Sequence, residues 1–240
     1  ESFAAVEGVD LEVHAGETVA LVGRSGSGKS TLARLMLGLE EPDSGRMVWR
    51  GQDLADLDRK GMLAFRREVQ VVFQDPYGSL NPRQTVGNAL QEVIAVHRIA
   101  PAAEAGRRVR DLLSIVGLSP ESAQSYPHEF SGGQRQRIAI ARALAVEPAL
   151  IVADEPVSAL DVSVQAQILN LLMDLKERFG TALLLIAHDL SVVRHLSDRI
   201  AVMHGGRIVE RGPASEILSA PRRAATRELI ACAGSPGRRF

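Results

Sequence analysis

The segment from Gly23 to Ser30 has the residue types and spacing of a loop that binds a polyphosphate. Its glycines let successive backbone N–H groups turn toward phosphate oxygens, and the helix predicted after it adds its positive N-terminal end. Lys29 is expected to reach the outer phosphates, and the Ser30 hydroxyl to ligate magnesium. The residues predicted to contact a nucleotide here are Gly23, Arg24, Ser25, Gly26, Ser27, Gly28, Lys29, Ser30 and Thr31.

Two acids, Asp154 and Glu155, follow the apolar run 150–153. A buried parallel strand would place them at its carboxyl end, where open α/β sheets bind ligands. Asp154 is therefore predicted to hold magnesium, and Glu155 to orient and deprotonate a water that attacks the γ-phosphate. Taken alone, the pair fits an ordinary strand end equally well, so the prediction of ATP chemistry depends on the phosphate loop.

The elements that must position these residues follow from the hydrophobic patterns. Continuous apolar runs predict strands buried on both faces of a parallel sheet. Shorter alternating runs predict half-buried antiparallel strands, with a hairpin at the sheet edge after residues 204–206. The parallel strands are predicted at 18–22, 69–73, 150–153, 183–187 and 200–203, and the antiparallel ones at 9–13, 46–50 and 207–210.

Helical periodicity replaces the strand signals between Pro76 and about Ala145. It predicts helices over 86–96 and 102–116 and a third that starts near Ser131, which indicates a helical insertion in an α/β core. Ser163 is predicted to cap a further helix that ends at Gly180, and a short helical tail is predicted from Pro213.

Composition excludes several classes of protein. The chain has 240 residues, a formal net charge of -1 and no basic stripe, so nucleic acid is not an expected partner. No apolar run approaches the roughly 20 residues that span a bilayer. The single cysteine, Cys232, excludes an internal disulfide framework. The start at Glu1, without methionine, is typical of a cut chain.

The run from Phe130 to Gln134, Phe-Ser-Gly-Gly-Gln, resembles the signature motif of ATP-binding-cassette ATPases. The other motifs occur in that family's order: Gln74 after a buried strand, Ser158–Asp161 after Glu155, and His188 at a strand end. The resemblance implies an α/β fold: a P-loop NTPase (RecA-like) core with an antiparallel β subdomain and an inserted α-helical subdomain. The expected divisions are 1–76 with 146–212 for the core, 77–145 for the helical subdomain and 213–240 for the tail.

The resemblance also implies roles for the remaining candidates. Ser131, Gly132, Gly133 and Gln134 would cap the γ-phosphate held by a second cassette, packed head to tail. Gln74 would touch both magnesium and the attacking water, and His188 would bond to the γ-phosphate and Glu155. Asp161 would contact the opposite cassette, although a helix cap fits it nearly as well. Phe3 is the candidate for stacking on adenine.

The loops 74–83 and 125–130 are similar to the branch of the family that imports oligopeptides, dipeptides and nickel. That similarity implies ATP and Mg²⁺ as ligands, with two transmembrane permease subunits and, indirectly, an extracytoplasmic solute-binding protein as partners. The chain would lie at the cytoplasmic face of the inner membrane, attached through the permease. The alternatives are a soluble cassette ATPase acting on ribosomes or DNA, a cassette of another transporter class, and a regulatory ATP-binding module.

Overall fold

A computed structural model describes residues 4–75, 78, 80–188 and 190–233 of the chain. The strands are β1 (Thr18–Val22), β2 (Val48–Trp49), β3 (Gln52–Asp53), β4 (Val69–Val72), β5 (Leu150–Asp154), β6 (Ala182–Ala187), β7 (Arg199–His204) and β8 (Arg207–Pro213). The helices are α1 (Lys29–Met36), α2 (Arg59–Glu68), α3 (Val86–Val96), α4 (Ala102–Ile115), α5 (Gly132–Leu144), α6 (Val162–Phe179), α7 (Leu190–Leu196), α8 (Ala214–Ser219) and α9 (Ala224–Ala233).

Six strands form one sheet in the order β4-β5-β6-β1-β7-β8. All neighbouring strands are parallel except β7 and β8, which form the antiparallel hairpin predicted at the sheet edge. The five continuous apolar runs are all parallel strands of this sheet, as predicted. Four of these runs are almost completely buried because helices cover both faces of the sheet, whereas in the run at the edge strand β4 Gln70 and Val71 are half-buried and Phe73 is exposed.

The strand predicted at 9–13 is wrong, because this segment joins no ladder in the described structure. Its alternation is nevertheless real, since Val9, Leu11 and Val13 pack against the buried face that contains β1. The Asp10 carbonyl accepts a hydrogen bond of 2.7 Å from the Arg211 side chain instead of from a neighbouring strand. Periodicity therefore identified the buried face of this segment and not its hydrogen-bonding partner.

The strand predicted over 46–50 is much shorter than expected and comprises only β2. It pairs with β3 through a two-residue turn at Arg50 and Gly51, whose φ angles are 51° and 80°. Two positive φ values match the turn that suits the twist of a two-stranded hairpin. Gly51 therefore ends β2 as predicted.

The helices α3, α4 and α5, which lie between β4 and β5 in the sequence, pack against one another. Thr85 caps α3 by accepting from the Asn88 N–H, and Ser131 caps α5 with a reciprocal bond from Gln134. Their apolar faces share a buried cluster with the sheet, which includes Leu90, Leu112 and Ile138. The predicted helices are confirmed, while the subdomain boundaries at 76/77, 145/146 and 212/213 stay predictions.

Three details of the helices differ from the sequence predictions. The residue at the N-cap of α6 is Asp161 and not Ser163, and the Asp161 side chain makes no capping hydrogen bond. Gly180 ends α6 in the left-handed conformation, as predicted. Helices α2 and α7 were not predicted, because α2 is strongly polar and α7 is only seven residues long.

The predicted C-terminal tail consists of α8 and α9 as far as residue 233. The Glu210 carboxylate on β8 accepts hydrogen bonds from the backbone N–H groups of Arg222 and Arg223 and from the Thr226 hydroxyl. These bonds attach the start of α9 to the sheet edge. Across the described ranges, no helix combines the length and apolar character needed to cross a bilayer.

Asp198 attaches the start of the central strand β1 to the loop before β7. Its carboxylate accepts from the Thr18 N–H at 2.7 Å and from the Lys176 Nζ at 2.8 Å, and its own N–H donates to the Thr18 carbonyl at 2.9 Å. Partial burial alone would raise the pKa of Asp198, but the bonds from Lys176 and Thr18 outweigh it and lower the pKa below its ordinary value. The ionised form is therefore the stabilising one.

We expect Asp198→Ala to lower the free energy of unfolding by about 1–2 kcal/mol, because the N–H of the buried Thr18 loses its acceptor. The bond from Lys176 adds little, since the Asp198 side chain is 55% exposed and solvent screens the pair. A lowered pKa means that the contribution is complete above the unfolded-state pKa of about 3.9 and disappears as pH falls through the folded-state pKa. Urea unfolding at pH 7 and pH 3 measures both effects. Asp174→Ala, an exposed change on α6, is the control, and equal stabilities for the two variants at pH 7 would contradict the role of Asp198.

Candidate nucleotide site

The predicted phosphate loop lies between β1 and α1, and two of its glycines are required by packing. Gly28 has a φ of 101° and occupies the N-cap of α1. A Cβ atom there would overlap the Ala5 carbonyl oxygen, and a Cβ on Gly23 would overlap the Met203 carbonyl oxygen on β7. In both cases the nearest atom belongs to the backbone, so rotation of a side chain cannot relieve the clash. The exposed residues Arg24, Ser25 and Gly26 form the outer rim of the loop.

Lys29 points back over the loop in this structure. Its Nζ donates to the Gly23 carbonyl at 2.8 Å and to the Arg24 carbonyl at 3.1 Å, and the residue is 6% exposed. Burial lowers the pKa of Lys29, an effect that the negative charges of Glu155 and Asp154 oppose. An ammonium held only by neutral carbonyls would gain a much stronger partner in a phosphate oxygen.

The Asp154 carboxylate ends β5 and lines the same cleft as Ser30, so the two predicted magnesium ligands are neighbours. Its Oδ1 atom is buried and has no hydrogen-bond partner in the described part of the chain. Burial first and the Glu155 charge second raise the pKa of Asp154, against the opposing effects of Ser30, Lys29 and Arg34. A buried carboxylate oxygen without a partner, beside a hydroxyl, is a donor set that fits Mg²⁺.

Glu155 and His188 meet at the carboxyl ends of the neighbouring strands β5 and β6. His188 Nδ1 lies 3.4 Å from Glu155 Oε2, and the glutamate side chain is the less exposed of the two. Glu155 has a φ of 45°, which is uncommon for a residue with a side chain, and its N–H donates to the Ile186 carbonyl at 3.0 Å. This backbone bond to β6 fixes the turn that presents the carboxylate next to His188.

Gln74 follows β4 and lines an open cleft with a volume of about 840 Å³. Ser30 and Asp154 line one end of this cleft. The other walls come from α2, α3 and α5, and they include Arg66, His97, Ala139 and Arg142. The cleft therefore connects the predicted magnesium ligands with the helical region through the segment that contains Gln74.

The signature run contains Ser131, the N-cap of α5. A Cβ on Gly132 would lie 3.3 Å from Leu160 Cδ2, and a Cβ on Gly133 would overlap the Val164 side chain of α6. These glycines let the start of α5 pack closely against the segment that follows Glu155. None of the residues 131–134 lines the cleft that contains Ser30 and Asp154. The side chain of Asp161, at the start of α6, is exposed.

Two buried polar side chains that fix the position of α5 were not among the residues predicted from the sequence. Gln136 is 1% exposed, and its Nε2 donates to the Phe73 carbonyl at 3.3 Å, directly before Gln74. Arg135 is 6% exposed and donates to the carbonyls of Pro127 and His128 at 2.6 and 3.2 Å. The sequence signal that could have identified them is the unbroken polar run 134–137 ahead of an apolar helical stripe.

Phe3, the predicted adenine contact, lies outside the described residues, as do Pro76, Tyr77 and Ser79 of the loop 74–83.

Comparison with known proteins gives matches over nearly the whole chain. The model of the family described as ABC transporter matches residues 6–158. The oligopeptide transport ATP-binding protein OppF of Lactococcus lactis strain IL1403 is 49% identical over 230 residues, which cover 96% of this chain and 72% of OppF. The glutathione import ATP-binding protein GsiA of Escherichia coli K12 is 52% identical over 95% of this chain, which spans only 36% of GsiA.

Among solved structures, the ATP-binding cassette MJ0796, as a dimer in a post-hydrolysis state bound to ADP and Pi, superposes with a TM-score of 0.76. The match has 33% sequence identity and covers 88% of this chain and 90% of MJ0796. Identity at this level supports a shared family as well as a shared fold.

The close approach of α5 to α6 gives a test of the packing at Gly133. Gly133→Ala is expected to destabilise the fold by about 1–3 kcal/mol through overpacking against Val164. The double variant with Val164→Ala is expected to recover about 1 kcal/mol relative to the sum of the single changes. Urea unfolding of the four proteins measures this coupling.

Gly106→Ala on α4 is the control, since no atom lies nearer to its Cβ than the Arg110 side chain at 3.8 Å. Without a clash, this change should stabilise the helix by about 0.5–1 kcal/mol. Strictly additive effects of Gly133→Ala and Val164→Ala would contradict the packing explanation.

Proposed function

This chain belongs to the ABC transporter family, and from that premise we propose that it is the ATP-hydrolysing subunit of an importer for peptides or similar small solutes. The observation that carries the proposal is that the phosphate loop, Asp154, Glu155 and His188 converge at the carboxyl ends of β1, β5 and β6. The order and chemistry of these groups suit the hydrolysis of ATP by water.

Each group has a proposed role in this reaction. The loop N–H groups and Lys29 bind the phosphates, and Ser30, Asp154 and Gln74 hold magnesium. Bound magnesium would neutralise charge on the phosphate oxygens. Glu155 takes a proton from a water whose oxygen attacks the γ-phosphorus, while the bond to the ADP oxygen breaks. His188 keeps the Glu155 carboxylate in place and donates toward the γ-phosphate, where negative charge develops.

The proposed cargo follows from the relatives. OppF is named for oligopeptide transport and GsiA for glutathione import, and this chain is about equally identical to both. Glutathione is itself a tripeptide, so both names point to small amide-linked solutes. Cargo selection would depend on other subunits, because the candidate site in this chain is built for phosphates.

A second cassette is the first proposed partner, which the dimeric state of MJ0796 supports. We propose a head-to-tail arrangement in which Ser131, Gly132, Gly133 and Gln134 face the nucleotide held by the other cassette. Such a role explains why the capped N-terminus of α5, a good anion site, lies outside the cleft of its own chain. Asp161 and Phe3 are proposed to contact the opposite cassette and the adenine, respectively.

Two permease subunits are the second proposed partners, with an extracytoplasmic binding protein acting through them. The cleft beside Gln74 is the proposed docking place, since its arginine-bearing walls lie between the magnesium ligands and the helical region. Movement of a membrane subunit in this cleft would reach Gln74 directly. The chain would then lie at the cytoplasmic face of the membrane.

The catalytic assignment predicts different defects for two substitutions. Lys29→Ala is expected to weaken ATP binding, whereas Glu155→Gln keeps binding and lowers turnover by about 100-fold to 1,000-fold. Equilibrium binding of a fluorescent ATP analogue and phosphate release measure the two properties with and without magnesium. Glu177→Gln, at an exposed position on α6, is the control. Unchanged turnover in purified Glu155→Gln protein would remove this carboxylate from the mechanism.

The partner assignment predicts that two membrane proteins co-purify with the chain from its native membranes. Arg66→Glu reverses a charge that lines the cleft and is expected to reduce their recovery at least about threefold. Arg59→Glu makes the same charge change at the exposed start of α2 and should leave recovery unchanged. Recovery of ribosomes or DNA in place of membrane proteins would contradict the importer assignment.

A further inference from the structure

The loop between Glu155 and α6 is held by a side chain that none of the predicted motifs includes. Gln165 lies in the first turns of α6, and its Nε2 donates to the Val157 carbonyl at 3.1 Å and to the Leu160 carbonyl at 3.0 Å. A glutamine amide has two N–H groups on this nitrogen, so both can be used at once. The two carbonyls lie at either end of the segment 157–160.

The side chains of Val157 and Leu160 pack against the hydrophobic core, and the other hydrogen bonds of this segment are local. Within it, the Ser158 N–H and hydroxyl bond to the Glu155 carbonyl at 3.2 Å, and the Leu160 N–H bonds to the Val157 carbonyl at 3.1 Å. These are local turn bonds, which fix its curvature but do not connect it to the helix behind it. The amide of Gln165 makes that connection.

The segment lies between Glu155, which is proposed to act on this chain's own nucleotide, and the signature run, which is proposed to face the nucleotide of the other cassette. At one end it follows Glu155, whose carboxylate contacts His188. At the other end Leu160 packs against Gly132 of the signature run. Gln165 itself lines a small cavity of about 70 Å³ together with Glu155 and His188. A change in the position of this loop would therefore reach both the water-activating pair and the signature face.

We propose that Gln165 is a positioning residue for ATP hydrolysis: its amide holds the segment 157–160 so that Glu155 and the signature face keep the spacing that turnover requires. This inference rests on the proposed function. Gln165 touches no reacting atom, and its effect passes through the loop backbone.

The decisive variant is Gln165→Glu, which keeps the side-chain shape and replaces Nε2, with both of its N–H donors, by a carboxylate oxygen that faces two carbonyl oxygens. Turnover is expected to fall between about tenfold and 100-fold, because small misplacements remote from the chemistry have effects of this size. Affinity of the protein for a fluorescent ATP analogue should stay within about twofold, because Lys29 and the phosphate loop are untouched. Hydrogen exchange at the amides of 157–161 should accelerate relative to β5 and β6.

Gln167→Glu is the matched control, with the same substitution and charge on the same helix. The Gln167 Oε1 accepts from the Arg137 side chain at 3.1 Å, an acceptor role that a glutamate retains. Gln165→Met adds a second test, because it removes the donors without adding a charge. Turnover should be reduced in both Gln165 variants and normal in the Gln167 variant.

Normal turnover in Gln165→Glu, or equal exchange at 157–161 in wild type and variant, would overturn the inference. So would a parallel loss of turnover, nucleotide affinity and melting temperature, which indicates a general structural role. Failure of the proposed function has a different signature: wild-type protein, alone and with its co-purified subunits, would not hydrolyse ATP.

Discussion

The alignment of β1, β5 and β6 in one parallel sheet is the constraint on which the candidate site depends. The register pairs Val22 with Ala187 and Asp154 with Ile186, so the three strands end at the same level. The phosphate loop follows Val22, Glu155 follows Asp154, and His188 follows Ala187. A slip of one residue in the pairing of β1 or β5 with β6 would turn the side chains that follow these strands toward the opposite face of the sheet. The buried strands that fix this register are thus part of the site, although none of their side chains reacts.

Close packing explains why several positions in the phosphate-binding motifs must be glycine. Gly23 and Gly28 lie against main-chain oxygens of residues 203 and 5, and Gly133 lies against Val164. These glycines therefore serve two purposes, since the same lack of a side chain lets N–H groups approach an anion and lets neighbouring segments meet. Substitution data at such positions report both effects, and only a compensating change on the packing partner separates them.

The sequence predicted the sheet, the inserted helices and the family because each had a strong and redundant signal. Continuous apolar runs identified every parallel strand, and the cap predicted at Ser131 located the start of α5 within one residue. The failures have different causes. The strand at 9–13 fails because its hydrogen-bonding partner is set by the tertiary fold, the cap at Ser163 because the N-cap of α6 is Asp161, and α2 because its sequence is strongly polar. Periodicity reports burial of a face, while partners such as Arg211 for Asp10 are set by the tertiary fold.

Buried and half-buried amides are the part of the site that motif reasoning does not reach. Gln136 bonds to the backbone just before Gln74, and Gln165 bonds to the backbone just after Glu155. Each amide joins a helix to a loop that carries a proposed catalytic group, and neither would touch the nucleotide. A neutral donor suits this task because it satisfies backbone carbonyls without placing another charge beside Lys29, Asp154 and Glu155. Loop position can then change with helix position while the electrostatics of phosphate binding stay the same, which is the property that a subunit coupling ATP hydrolysis to movement requires.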